Sequence, residues 1–251
     1  MLVLRRICVT AAASAILATA GAVAPAAAAP ATTAAHAAIP VPGPLIDRVG
    51  SRGASWDPGD VQVLVNKEHP VTPRDWVPPR LVRPDVATSG GNDLLRPVAA
   101  RALVRLARAS ERATGRELVL VSGYRSADYQ QRLYRRYVEA HGRQEADTFS
   151  ARGGFSEHQT GLAADVTESG TPYTRFASTA TSRWVEANAW RYGFVVRYPR
   201  GAREVTGYAA EAWHLRYVGV GLASHLHLAG VTTLEEASGA GPAPDYAKPA
   251  G

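Results

Sequence analysis

The sequence predicts an α+β domain with a small, mainly antiparallel sheet flanked by helices. Five short apolar or alternating segments are predicted as strands, and three longer segments with apolar residues at three- and four-residue spacing are predicted as helices. These strands alternate irregularly with the helices, which is typical of α+β domains. The predicted strands are 61–65, 117–121, 162–166, 194–197 and 212–218, and the predicted helices are 92–113, 127–140 and 178–192.

The first 60 residues differ in composition from the rest. Residues 1–29 have the pattern of a secretory signal peptide, with Arg5 and Arg6 before an apolar stretch and alanines at candidate cleavage positions. A retained membrane anchor is the alternative, because the stretch without charge after Arg6 is long. Residues 30–60 are rich in Ala, Pro and Gly, which predicts a flexible linker.

The segments before the first long helix are short and irregular. Residues 61–65 alternate as a strand does, and the prolines that follow indicate an extended segment. The helix 92–113 can be capped by Asn92 or Asp93, and Pro97 then falls in or just past its first turn. Gly115 ends it.

Arg125 follows the buried strand 117–121, in the turn Ser-Gly-Tyr-Arg-Ser. An arginine at the end of a core strand can bind a carboxylate bidentately or polarise a scissile carbonyl. A structural ion pair is the alternative. Ser126 is predicted to cap the helix 127–140, whose buried stripe is predicted to be Tyr129, Leu133 and Tyr137.

The segment 155–165 reads Phe-Ser-Glu-His-Gln-Thr-Gly-Leu-Ala-Ala-Asp and carries His158 and Asp165. It is predicted to be a loop with a histidine that leads into a buried strand with an aspartate. A neutral imidazole and a carboxylate are natural zinc ligands, but a catalytic zinc takes three protein ligands and keeps one position for water. Two residues therefore do not complete a site.

His214, in the segment Glu-Ala-Trp-His that begins at Glu211, is the best candidate for the third ligand. Zinc lowers the pKa of a bound water, and a nearby carboxylate can accept its proton and later donate it to a leaving amine. Glu211 lies three residues before the candidate ligand and is the predicted base.

A second pair of histidines, His225 and His227, is not predicted to bind metal. The two lie in a predicted terminal helix, where residues two apart point about 200° away from each other. The last residues, 238–251, are rich in Gly, Pro and Ala and predict a disordered tail.

Charge and cysteine content limit the chemistry. The formal charge is +6, and +4 without Arg5 and Arg6, which suits polyanionic surroundings but does not indicate a nucleic-acid-binding protein. The single cysteine, Cys8, lies in the leader. Zinc would therefore have to be held by nitrogen and oxygen ligands.

Four segments together resemble the VanY-like D-alanyl-D-alanine carboxypeptidases, zinc peptidases of bacterial cell walls. They are Val-Leu-Val-Asn-Lys at 63–67, Val-Ser-Gly-Tyr-Arg-Ser at 121–126, the segment 155–165, and Glu-Ala-Trp-His-Leu-Arg-Tyr-Val-Gly from 211. The resemblance covers residues 61–237, and we expect these residues to form a zinc carboxypeptidase domain. It implies the hedgehog/DD-peptidase-like fold, with a zinc cleft on the sheet.

The resemblance also implies roles for individual residues. One zinc ion per chain is expected on His158, Asp165 and His214, with Glu211 as the base and Arg125 as a catalytic and substrate-binding residue. Ser156 matches a family serine near the substrate, and a loop cap is its alternative. The family carries a glutamine near Gln130 and Gln131; Gln131 is taken as the substrate-binding residue, although the sequence does not decide between the two.

The expected reaction is removal of a C-terminal D-alanine from peptidoglycan stem peptides by metal-activated water. L,D-carboxypeptidase, dipeptidase and endopeptidase activities are the alternatives, and a non-catalytic wall-binding module is a further one. A non-catalytic module would be expected to have lost the base. Glu211 is present, so it argues against that module. We expect a secreted, cell-wall-associated monomer that binds stem peptides and no nucleic acid, with weak association to the polyanionic wall.

Overall fold

A computed structural model describes residues 55–247 of the chain. The predicted signal peptide and most of the predicted linker lie outside these residues. Within 55–247 the strands are β1 (Ala87–Thr88), β2 (Leu118–Ser122), β3 (Ala163–Glu168), β4 (Phe194–Tyr198) and β5 (Glu211–Tyr217). The α-helices are α1 (Pro97–Thr114), α2 (Ala127–His141), α3 (Arg143–Ala146), α4 (Ala180–Asn188), α5 (Arg203–Thr206), α6 (Val220–Ala229) and α7 (Leu234–Ser238).

Three short 3₁₀ helices connect these elements, at Glu157–Thr160, Tyr173–Ser178 and Ala189–Tyr192. None of the helices in residues 55–247 has both the length and the apolar character needed to cross a membrane.

The five strands form one sheet in the order β1-β2-β3-β5-β4. β1 pairs with β2 in parallel, and the other three pairs are antiparallel. The predicted α+β class with a mainly antiparallel sheet is therefore confirmed. The central strand β3 and its neighbour β5 are those predicted to carry Asp165 and His214.

One face of the sheet packs on the main hydrophobic core. Leu103 and Leu106 of α1 pack with Leu120 of β2, Val166 of β3 and Leu215 of β5, all 0–1% exposed. Because successive strand residues point to opposite faces, Asp165 and His214 project from the other face. The core therefore fixes the strand register that brings the polar residues together.

The predicted strand 61–65 is wrong. Val63, Leu64 and Val65 are buried, but the segment makes only an isolated bridge between Ser55 and Val63 among the described residues. The carbonyls of Val61 and Val63 instead accept hydrogen bonds from the Arg216 guanidinium. The three consecutive residues Val63, Leu64 and Val65 are all buried, so their apolar character reflects burial and not strand pairing.

The first helix begins later than predicted, at Pro97 with Arg96 at the N-cap, so the proposed caps Asn92 and Asp93 are wrong. The reason is that the preceding backbone is already paired in an extended form. The Asn92 and Leu94 carbonyls accept from the turn after β2, and Leu95 exchanges hydrogen bonds with Val82. The predicted helix 178–192 is also shorter, with α4 followed by a 3₁₀ turn. Ser126 caps α2 as predicted.

The tail predicted to be disordered is ordered over residues 238–247. Ala243 is completely buried, and its N–H donates to the Val205 carbonyl at 2.8 Å. Tyr246 packs its ring against Phe155, with the centroids 5.1 Å apart. Composition alone indicated disorder because the contacts that order this segment come from distant parts of the chain.

Candidate active site

The pairing of β3 with β5 places Asp165 directly opposite His214. Residues opposite each other in an antiparallel pair point to the same face, so both side chains project into one cleft. The Asp165 Oδ1 atom lies 3.2 Å from the His214 Nδ1 atom. The sheet register alone therefore brings together two of the three predicted ligands.

His158 is supplied by the 3₁₀ turn Glu157–Thr160 that precedes β3. The turn ends at Gly161, whose φ of 67° lies in the left-handed region that glycine adopts without strain. The His158 Nδ1–H donates to the Gly123 carbonyl at 2.6 Å, which leaves Nε2 as the free nitrogen. That Nε2 faces the Asp165 Oδ2 atom at 3.3 Å.

The three side chains offer ligand atoms that all lie within 4.8 Å of one another, and each is buried. The His158 Nε2 and Asp165 Oδ1 atoms are buried and have no hydrogen-bond partner in the described structure. Buried polar atoms without a partner are costly, and a divalent cation would bind both. A donor set of two imidazole nitrogens and one carboxylate is well suited to zinc. The residues present therefore fit the ion that the sequence predicts.

Glu157, next to His158 in the chain, orients the other histidine. Its Oε2 atom accepts from the His214 Nε2–H at 3.2 Å, so the Nδ1 atom faces Asp165. Burial would raise the pKa of Glu157, but the charges of Arg197 and Arg216 outweigh it and hold that pKa well below its usual range. The carboxylate next to His214 is therefore ionised.

A buried ionic network extends from this carboxylate to the end of the domain. Glu157 Oε1 accepts from Arg197 Nε at 2.8 Å and from Arg216 Nη1 at 2.9 Å. Arg197 also makes a bidentate pair with Glu235 of α7, at 2.7 and 2.9 Å. All four side chains are 0% exposed. The sequence analysis missed this network, although two arginines inside the apolar strands β4 and β5 were the available signal.

Glu211, the predicted base, begins β5 and is buried. Its Oε2 atom lies 3.6 Å from the His214 Nδ1 atom. Burial raises the pKa of Glu211 to about 8, and the nearby Asp165 charge acts in the same direction. A cation held by the neighbouring ligands would favour the ionised form. The Glu211 carboxylate therefore lies beside the candidate ligands, where it could accept a proton from a metal-bound water.

Arg125 reaches the same cluster from the turn after β2. Its Nη2 donates to Asp165 Oδ2, and its Nε donates to Ser122 Oγ at 2.9 Å. The guanidinium lines the cleft and is 16% exposed as a side chain. The ion pair therefore lies within the site itself, and part of the donor fork remains accessible from the cleft.

Of the two glutamines, Gln130 and not Gln131 lines the cleft, which favours Gln130 over the predicted Gln131 as the substrate-binding residue. Gln131 does not line the cleft, and its Oε1 atom accepts from the Gly153 N–H at 3.2 Å. Gln130 lines the cleft, and its Nε2 donates to the Ala151 carbonyl at 2.8 Å, while its buried Oε1 atom has no hydrogen-bond partner among the described residues. Ser156 is buried and also lines the cleft; its side chain makes no helix-cap hydrogen bond.

The cleft has a volume of about 470 Å³ and an aromatic wall. Tyr129, Leu133 and Tyr137 of α2, predicted as a core stripe, are half-buried and line this cleft. The buried residues of α2 are instead Gln130 and Tyr134. Apolar spacing identified one face of the helix correctly, but that face borders the cleft and not the core.

The second histidine pair lies apart from the cleft. His227 stacks on Trp190, with ring centroids 4.3 Å apart, and neither His225 nor His227 lines the cleft.

Comparison with known proteins identifies one family. The model of the VanY family, D-alanyl-D-alanine carboxypeptidase, matches residues 92–220, just over half of the chain. The Bacillus subtilis (strain 168) protein YodJ is 40% identical over 170 residues, which are 65% of this chain and 62% of YodJ. The chain thus spans less than two thirds of the length of that relative.

Several solved structures are similar to the chain. The LdcB LD-carboxypeptidase has a TM-score of 0.67 and 40% identity, covering 72% of this chain and 86% of its own. The vancomycin-resistance D,D-pentapeptidase VanY from the VanB-type cassette, a mutant solved in complex with Zn(II), has a TM-score of 0.59 and 30% identity, covering 73% and 99%. The residues that the family model matches include His158, Asp165, Glu211 and His214.

Proposed function

The chain belongs to the VanY family of D-alanyl-D-alanine carboxypeptidases, and on this premise we propose that it is a zinc-dependent hydrolase that removes a C-terminal D-alanine from peptidoglycan stem peptides. The observation that carries the proposal is the convergence of His158, Asp165 and His214 beside the buried carboxylate of Glu211. The solved VanY relative, which contains Zn(II), supports the choice of metal.

His158 through Nε2, His214 through Nδ1 and Asp165 would hold one zinc ion per chain. Bound there, the ion would supply an acidified water and stabilise negative charge on the attacked carbonyl oxygen. The Gly123 carbonyl and Glu157 keep the two imidazoles in the tautomers that expose those nitrogens. The protein's own contribution is a buried set of ligands whose orientation these hydrogen bonds fix.

Glu211 is the proposed base. Its carboxylate accepts a proton from the attacking water as the new C–O bond forms, and donates that proton to the departing D-alanine nitrogen as the C–N bond breaks. The proton that the water loses is the proton that the leaving amine gains, so the reaction needs no reactant besides water and peptide. Arg125, which lines the cleft, donates to the oxyanion or to the substrate carboxylate. Gln130 and Ser156 lie where they can bind the peptide.

Cleavage at other positions of the stem peptide remains the alternative. The similarity to the LdcB LD-carboxypeptidase supports removal of D-alanine from a tetrapeptide. Incubation with defined penta- and tetrapeptide muropeptides and with free D-alanyl-D-alanine, followed by mass identification of the products, separates these activities. We expect loss of one D-alanine from the pentapeptide. Loss of D-alanine only from the tetrapeptide would replace the D,D-assignment, and no cleavage of any of these would contradict the proposed carboxypeptidase activity.

We also propose that the protein is secreted and acts at the cell wall as a monomer. The Arg5-Arg6 start and the apolar stretch after it support export, and the positive charge supports weak association with the polyanionic wall. Fractionation of a producing culture, with sequencing of the N-terminus of the released protein, tests the location.

A further inference from the structure

The segment that follows α7 returns across the domain and packs beside the cleft. Ala243 is completely buried and donates to the Val205 carbonyl, and Tyr246 is the last aromatic residue of the chain. This segment lies beyond the part of the chain that matches the family model, which ends at residue 220.

Tyr246 binds the stretch of chain that leads into His158. Its ring lies 3.9 Å from the Arg152 guanidinium carbon and meets the edge of Phe155. Its hydroxyl accepts from the Arg152 backbone N–H at 2.9 Å. Arg152 is itself fixed by Asp147, with contacts of 2.7 and 3.1 Å. The tail therefore holds the chain just before Ser156.

The same tyrosine also binds the stretch that leads into Glu211. The Tyr246 hydroxyl lies 3.3 Å from the Tyr208 hydroxyl, and Tyr208 lines the cleft three residues before Glu211. The Tyr208 ring packs on Tyr198, whose ring lies 4.9 Å from that of His214. One tail residue thus contacts both segments that enter the site.

A buried lysine connects the tail to the segment that leads into Glu211. Lys67 is 2% exposed, and its ammonium donates to the Gly207 carbonyl at 2.7 Å and to the Pro244 carbonyl at 2.9 Å. The ammonium also lies 4.9 Å from the Tyr208 ring centroid and 5.5 Å from that of Tyr246. A buried charge needs such partners, so displacement of the tail would leave the ammonium without one of its two carbonyls.

We propose that residues 243–246 form a clamp that positions the Tyr208 wall of the cleft, with Tyr246 as the positioning residue and Lys67 as its anchor. The clamp holds the segment 199–210, a loop that includes the short helix α5, against the segment 147–155, and so fixes the space in which a substrate lies between them. Its effect on catalysis rests on the proposed function; its effect on the loop does not.

Limited trypsin digestion tests the clamp without substrate. Arg200 and Arg203 are exposed in the segment 199–210, and Arg203 is the first residue of α5 there. Arg175 is exposed outside that segment. A chain that ends at Gly241 is compared with one that ends at Ala247. Loss of the clamp should speed cleavage after Arg200 and Arg203 at least about tenfold, with cleavage after Arg175 unchanged. Equal loop cleavage in the two chains would overturn the proposal.

Tyr246→Phe keeps the ring and removes the hydroxyl. This variant replaces the shortened chain in the trypsin test if the shortened chain does not fold. It should give a smaller rise in loop cleavage, roughly threefold, and no rise would again contradict the clamp. On a cleavable muropeptide, both variants should raise KM more than they lower kcat, with zinc retained, since no clamp residue touches a ligand. A chain that cleaves no muropeptide but shows the trypsin difference would overturn the proposed function and leave the clamp intact.

Discussion

The Oε2 atom of Glu157 lies 3.2 Å from the Nε2 atom of His214, although 57 residues separate them in the sequence. The residue beside one candidate ligand therefore orients the other. The consequence is that the two histidines share their support: the turn that presents His158 also carries the carboxylate that turns the His214 Nδ1 atom toward Asp165.

Glu157→Gln should weaken zinc binding. The amide is neutral, so it no longer makes the His214 imidazole more basic, and loss of such an outer partner typically costs about 10–100-fold in metal affinity. Competition with a chelator at neutral pH measures the affinity. Glu186→Gln, at an exposed position, is the matched control. Equal affinities of the two variants would exclude the orienting role.

His158→Ala should abolish stoichiometric zinc binding, because two remaining ligands do not hold the ion. His227→Ala, which removes the imidazole stacked on Trp190, should leave the zinc content unchanged. Elemental analysis of the purified proteins gives the answer directly. One zinc per chain in the His158 variant would mean that the ligand set is wrongly assigned.

Arg125→Lys should lower kcat/KM without unfolding the protein. A lysine can still pair with Asp165, but it replaces the planar fork by a point charge and so loses the second donor. A fall of about 10²-fold is expected for a lost oxyanion donor. Arg132→Lys, on the exposed side of α2, is the control. Normal turnover in the Arg125 variant would indicate that the arginine serves only the ion pair.

Glu211→Gln should retain zinc and substrate binding but lower hydrolysis by at least ~10²-fold, since the amide cannot accept a proton. Glu204→Gln, at an exposed position of α5, should hydrolyse normally. Muropeptide cleavage and zinc content are measured on the same samples. Loss of zinc in the Glu211 variant would reveal a ligand rather than a base.

Glu235→Gln should destabilise the domain by about 3–5 kcal/mol, because it leaves the buried Arg197 charge without one of its two carboxylates. Denaturant unfolding of the metal-free proteins measures the free energy of unfolding. Glu236→Gln, the exposed neighbour, should change it by no more than about 0.5 kcal/mol. An equal loss of unfolding free energy in both variants would show that the buried ionic network does not account for this stability.

The sequence by itself determined the fold class and the chemistry of the site. Buried strands such as β2 and β3 and the capped helix α2 follow from local patterns, which need no knowledge of the rest of the chain. The candidate ligands and Glu211 were identified because imidazole and carboxylate groups are natural zinc ligands, and because a carboxylate three residues from a ligand can act as a base. That inference depends on residue type and spacing alone.

Only the tertiary structure decided which side chains face which neighbours. Gln130 and not Gln131 enters the cleft because a rotation of one residue on a helix changes the direction by about 100°. Residues 61–65 pack against Arg216 instead of a strand, and the tail folds back through Lys67 and Tyr246. These contacts join distant positions, and their free energy depends on burial that no local window of sequence contains.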